Sequence, residues 1–305
     1  MKRILLLLML IGVVLASGCL GTQPKEIPVG MNGLIIPDFS PDANKIMAGD
    51  TVNLYLEVQN VGGAKASDIN VSLYGVTFAE PPGEYDWQVA QGKLSFRFSE
   101  EGISQLLPPE EGIPGEIATY FWTFKAPTGI KADTTYSFDV RVEYNYLTDV
   151  SGILTFVSKD YWNRLSKSEK EALSTKAGVT QLRQTGGPIA VKLYAGVRER
   201  PFVIDPAQIN YTIRVDINNV GSGEPKDVIK LISEKSSTGI TISCPDEVKT
   251  KGIRLSAGKT ASFSCTLTLG KTDILNKQDF SIALGFNYDW RVDSSTGITV
   301  KKPLT

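Results

Sequence analysis

The chain is predicted to be all-β, with two tandem antiparallel β-sandwiches joined by a short helical connector. Three observations predict this. Short runs along the chain alternate apolar and polar residues, the period of a half-buried strand. The 28 Gly and 16 Pro are scattered between those runs, as expected where many strands are joined by turns. One strand-and-turn stretch also occurs twice, followed each time by further matches in the same order.

The repeat is the strongest of the three. Leu54, Leu56 and Val58 share one face of a strand in the first copy, and Ile213, Val215 and Ile217 do so in the second. Each strand breaks at Asn-Val-Gly. Asn60 and Asn219 take turn geometry readily, and Gly62 and Gly221 tolerate positive φ. Residues 58–62 match 217–221 at a spacing of 159, 115–118 match 258–261 at 143, and 138–146 match 280–288 at 142. The second copy is therefore shorter by 17 residues (159 less 142), a difference placed in an irregular Pro-, Gly- and Glu-rich stretch over 78–115.

Length and composition agree. The 305 residues suit two domains of ordinary size, and 42% hydrophobic residues suit packed cores. A formal net charge of −1 offers no basic field for nucleic acid.

In chain order, residues 1–18 read as a leader. Lys2 and Arg3 precede an apolar run over 4–16, which is shorter than a spanning helix requires. Small residues then lead to Cys19. This pattern resembles the lipobox of prokaryotic lipoproteins, although Ala16 stands where that family usually has Leu. The resemblance implies cleavage before Cys19 and lipid on its sulfur, so the membrane would be a partner through that anchor. Stable anchoring takes more than one acyl chain. Residues 19–30 form a tether, and the first sandwich domain is assigned to 31–158. Its last strands are expected over 137–146 and 152–157, with a turn between them. A connector over 159–187 contains a helix starting near Leu165, with Ser166 and Glu169 at capping-box spacing. Residues 184–188 read as a flexible joint. The second domain is assigned to 188–305.

The stretch over 46–66 resembles the CARDB-type immunoglobulin-like domains of archaeal and bacterial surface proteins. The matching residues are Gly49, Val52, Val58, Asn60, Gly62 and Ala66. The second copy keeps Ile217, Asn219 and Gly221 but has Pro225 in place of Ala66. The resemblance implies that the two tandem antiparallel β-sandwiches are immunoglobulin-like, each seven-stranded, with an extracytoplasmic role in adhesion or surface assembly. It carries over no catalytic residue.

Chemistry-bearing motifs are few. The chain has no His, which removes Ser-His-Asp and Cys-His nucleophilic sites and His-bearing zinc sites. No phosphate loop or EF-hand pattern appears, so no cofactor and no metal is expected. Cys244 and Cys265 fall in one domain and read as a disulfide outside the cell, with two buried thiols as the alternative. Trp122 aligns with Cys265 in the first copy, where packing must replace the bridge. Tyr85 and Trp87, in the irregular stretch, are candidates for binding a sugar or a protein, and Trp87 is equally suited to plugging its own core. Asn145 and Asn287 recur in both copies and are assigned a shared turn role. Asn70 and Asn210 begin glycosylation triplets.

These readings converge on a non-enzymatic, membrane-anchored surface lipoprotein that serves adhesion or assembly by binding a surface protein or glycan. An alternative is an extracytoplasmic accessory or solute-binding component of a transporter or surface filament, with its cleft at the connector. A hydrolase using paired carboxylates such as Glu84 and Glu110 has no motif behind it.

Overall fold

The alternating runs become strands in two sets that repeat one another. A computed structural model describes residues 30–79, 81–173, 179–195, 201–204, 209–270 and 274–303. The leader, Cys19 and nearly all of the tether lie outside the described residues.

The first set is β1 (Leu34–Pro41), β2 (Lys45–Met47), β3 (Thr51–Asn60), β4 (Ala66–Tyr74), β5 (Gln88–Gln91), β6 (Ser95–Arg97), β7 (Gln105–Leu106) and β8 (Ile117–Lys125). Then comes the long strand β9 (Thr134–Ser158). The connector holds α1 (Lys159–Arg164), α2 (Lys167–Leu173) and β10 (Val179–Gln184). The second set is β11 (Ile189–Ala195), β12 (Phe202–Ile204), β13 (Asn210–Asn219), β14 (Glu224–Pro225), β15 (Lys230–Ser236), β16 (Ile240–Ser243), α3 (Asp246–Thr250), β17 (Thr260–Leu269) and the long β18 (Lys277–Lys301).

Each half has a four-stranded antiparallel sheet of the same order, β1-β3-β8-β5 in the first and β11-β13-β17-β16 in the second. Alternation explains the inner faces. Val52, Leu54, Leu56 and Val58 of β3 are buried, as are Tyr211, Ile213, Val215 and Ile217 of β13. Opposite both lies one ten-stranded sheet built on β9 and β18. These two strands pair antiparallel from Thr134↔Val300 to Val157↔Lys277 without a break in register. The all-β, sandwich-like prediction holds, and the short α-helices among the described residues are confined to the connector and to α3, with one 3-10 turn at Phe98–Glu101.

The long strands change how the halves are joined. The expected turn between residues 146 and 152 does not form, and β9 runs straight through it. Val140, Val142, Tyr144, Tyr146, Thr148 and Val150 are buried one after another along it, so the through-running strand keeps a single inward face. The far end of β9 instead enters the second half. There Phe156 packs edge-on against Tyr211 of β13 at 5.4 Å, and β12 pairs parallel to it. Reciprocally, the far end of β18 enters the first half, where β2 pairs parallel to Thr299, Val300 and Lys301. Each half has thus given its closing strand to the other, and no break in the sheet falls at 158–188.

This exchange has a pseudo-two-fold axis. Under the 142-residue repeat, Tyr146 corresponds to Tyr288, and these two residues are directly opposite in the ladder. Asn145 and Asn287 flank them and exchange side-chain hydrogen bonds, 3.1 Å in one direction and 2.8 Å in the other. They are not turn residues, as the sequence suggested. They recur because each satisfies the other's amide.

The expected flexible joint is clamped. Gly186 is buried, and its carbonyl accepts from Gly63 N at 2.9 Å and from the Tyr146 hydroxyl at 2.7 Å. The Pro188 carbonyl accepts from Val220 N and Gly221 N. The capping box is present, with Ser166 N donating to Glu169 Oε2 at 2.8 Å and Glu169 N to Ser166 Oγ at 3.3 Å.

Candidate functional site

The same alternation that buries one face of β3 and β8 exposes the other. On the outer face Tyr55 and Phe121 are directly opposite, and Asn53 faces Thr123. The Tyr55 and Phe121 rings lie 5.0 Å apart at 47°, and Phe121 is 59% exposed. Phe121 sits among inward-facing Tyr120, Trp122 and Phe124, yet its own position points to solvent. On the adjoining β1, Asp38 is opposite Glu57 and Ser40 is opposite Tyr55.

A groove of about 330 Å³ opens over the ring pair, lined by Ser40, Pro41, Asp42, Asn53, Tyr55 and Phe121. Its polar side is fixed by a relay. Thr123 Oγ1 donates to Asn53 Oδ1 at 2.8 Å, and Asn53 Nδ2 donates to Asp42 Oδ2 at 2.8 Å. The Asn53 backbone N–H donates to Asp42 Oδ1 at 3.0 Å. The Tyr55 hydroxyl donates to Glu57 Oε2 at 3.0 Å. Partial burial raises the Tyr55 pKa, and the Glu57 hydrogen bond and the charges of Glu57 and Asp38 raise it further, so this hydroxyl stays a donor. Asp38, Asp42 and Glu57 form no ion pair among the described residues.

The residues singled out from sequence meet different fates. Tyr85 is 59% exposed on a loop held by Thr128 N and Gly129 N, which both donate to the Glu84 carbonyl. Trp87 does not share that surface. It is 1% exposed and packs edge-on against Phe138 at 4.9 Å and Tyr136 at 5.4 Å, so it belongs to the core. Cys244 and Cys265 are disulfide-bonded. Ser243 pairs with Thr266 in the β16–β17 ladder, so the bridge joins the next cross-strand position within one sheet. Trp122, the counterpart of Cys265, is fully buried and packs against Phe39, Phe96 and Tyr120. Asn70 is half-buried in β4, where its amide donates to the Asp68 carbonyl at 3.0 Å. Asn210 is exposed at the start of β13, and its Oδ1 accepts from Thr268 Oγ1. Cys19 lies outside the described residues.

Sequence reasoning missed Tyr55 and Phe121. The signal was available. A strand whose even-numbered residues are all inward leaves Phe121, an aromatic, facing out. No group of His, Cys, Asp and Glu among the described residues is arranged to hold a metal ion, and none of the described helices is long and apolar enough to cross a membrane.

Fold and groove together describe an all-β sandwich protein with a solvent-facing aromatic site. Comparison with protein-family models and with curated proteins finds no match. Among solved structures, the chain is matched to the CupB6 tip adhesin from Pseudomonas aeruginosa at 10% identity and a TM-score of 0.15, covering 89% of this chain and 100% of that one. It is matched to the collagen adhesin (CNA) from S. aureus at 11% identity and a TM-score of 0.12, covering 88% of this chain and 92% of that one. Likeness at that level decides nothing about this chain.

Proposed function

We propose that this is a non-enzymatic, lipid-anchored binding protein of the cell surface, presenting its first-half sheet face to a protein or glycan for adhesion or assembly. The outward-facing pair of half-buried Tyr55 and exposed Phe121 carries this reading. Aromatic rings left in water cost the fold apolar burial that the neighbouring positions of the same strand achieve. Rings set beside a preorganised polar relay are what a binding surface needs. The disulfide supports an oxidising, extracytoplasmic setting.

The test has two parts. Cells expressing the full chain are fractionated beside a Cys19→Ser variant, and the protein solubilised from membranes is sedimented with isolated cell envelopes. The reading expects membrane association that Cys19→Ser abolishes, and envelope binding that Phe121→Ala weakens. Membrane-free wild-type protein, or envelopes that retain none of it, would contradict the reading.

A further inference from the structure

We infer that the Tyr55–Phe121 groove is a carbohydrate site that takes neutral or amino sugars and rejects acidic ones. The inference rests on the binding role just proposed and narrows its ligand. A pyranose presents an apolar C–H face and a rim of hydroxyl groups. The groove matches both. Phe121 offers an exposed ring face, and Tyr55 stands tilted beside it at 5.0 Å, forming an open angle rather than a closed stack. The rim opposite is rich in acceptors. Each Asp42 oxygen already accepts one bond from Asn53, which fixes the carboxylate and leaves a lone pair on each oxygen for a hydroxyl donor. Held this way, the carboxylate loses little entropy when a ligand binds.

Charge sets the selectivity. Asp38 and Glu57 are directly opposite on β1 and β3, a like-charge arrangement that costs a sheet stability. Carboxylates on the edge strand β1 also discourage pairing with another sheet. That role accounts for Asp38, but not for the outward-facing rings of Tyr55 and Phe121 on the two strands further in. With Asp42, the three carboxylates repel a uronic or sialic acid and attract a protonated amino group. The second half lacks this site. At the position of Tyr55 it has Arg214, and at that of Phe121 it has Ser264. The groove is thus a feature of one half, not of the repeat.

The full chain, solubilised from membranes, is titrated calorimetrically with cellohexaose, a chitosan hexamer and a polygalacturonate hexamer, and each titration is repeated with Phe121→Ala, Tyr55→Ala and Tyr85→Ala. Both ring positions are solvent-facing, so retention of the melting temperature shows that each variant is folded. The inference expects binding of the first two sugars, at least roughly tenfold weaker binding of the acidic one, and a loss of roughly tenfold or more on Phe121→Ala but none on Tyr85→Ala. Envelope binding that survives periodate destruction of glycans, with no heat from any of the three sugars, would overturn the carbohydrate assignment while leaving the binding role standing. Sugar binding unaffected by Phe121→Ala and Tyr55→Ala would overturn the site.

Discussion

At the scale of single residues, the two copies of Asn-Val-Gly are held by the same three bonds. Asn60 Oδ1 accepts from Gly62 N at 3.0 Å, and its Nδ2 donates to the carbonyls of Ala64 and Leu106. Asn219 repeats this with Gly221 N and the carbonyls of Gly223 and Gly258. Asn60 is fully buried whereas Asn219 is half-buried. Asn60→Ala strands two buried backbone groups and a partly buried one and should cost about 2–3 kcal/mol in urea unfolding. Asn219→Ala, whose partners are closer to water, should cost about half that. The glycines serve a different purpose from the one read in the sequence. Neither Gly62 nor Gly221 has positive φ. A Cβ on Gly62 would lie 2.0 Å from the Tyr146 hydroxyl, and one on Gly221 would lie 2.7 Å from the Met31 carbonyl. Space demands glycine there, and a distant neighbour cannot be read from a local motif. Trp87 shows the same limit, since its partners Tyr136 and Phe138 are remote in sequence. The buried tyrosines also set an alkaline limit. Burial raises the pKa of Tyr144, Tyr146 and Tyr288 above the ordinary value. The unfolded chain ionises these groups near pH 10 while the folded chain does not. Their contribution is therefore full below about pH 10 and is lost as pH rises through the folded values. Absorbance at the tyrosinate band should show these hydroxyls titrating only together with unfolding.

At the scale of elements, alternation was enough to find β3, β8, β13 and β17 and to place their inner faces. It was also enough to find the outward Phe121, had the odd positions been followed as closely as the even ones. The disulfide was legible as a pairing but not as a geometry. It ties neighbouring strands of one sheet, next to the β16–β17 ladder, rather than one sheet to the other. Its loop spans 21 residues, which in the chain-entropy account corresponds to about 3 kcal/mol. The double variant Cys244→Ser, Cys265→Ser should lose about that much stability relative to the oxidised protein. Reduction should leave the first half's equivalent strand untouched, because Trp122 fills that place by packing.

At the scale of the whole molecule, the repeat correctly gave two related halves but not their exchange. A turn between residues 146 and 152 would have closed the first half on itself. A hairpin and a through-running strand place the same residues inward, so periodicity cannot distinguish them. What decides is the far partner, Tyr211 and Phe202 for Phe156, and β2 for the end of β18. Exchange of an identical element is the economy of a swapped dimer, here carried out within one chain. It ties the two halves through one continuous β9–β18 ladder and a connector clamped at Gly186. Native-state hydrogen exchange read by mass spectrometry tests this directly. Amides of β9 and β18 should share one opening free energy along their whole length, from Val140 through Phe156 and from Phe280 through Val300. Two separate values, with the change falling between residues 146 and 152, would show two self-closed domains and contradict the exchange.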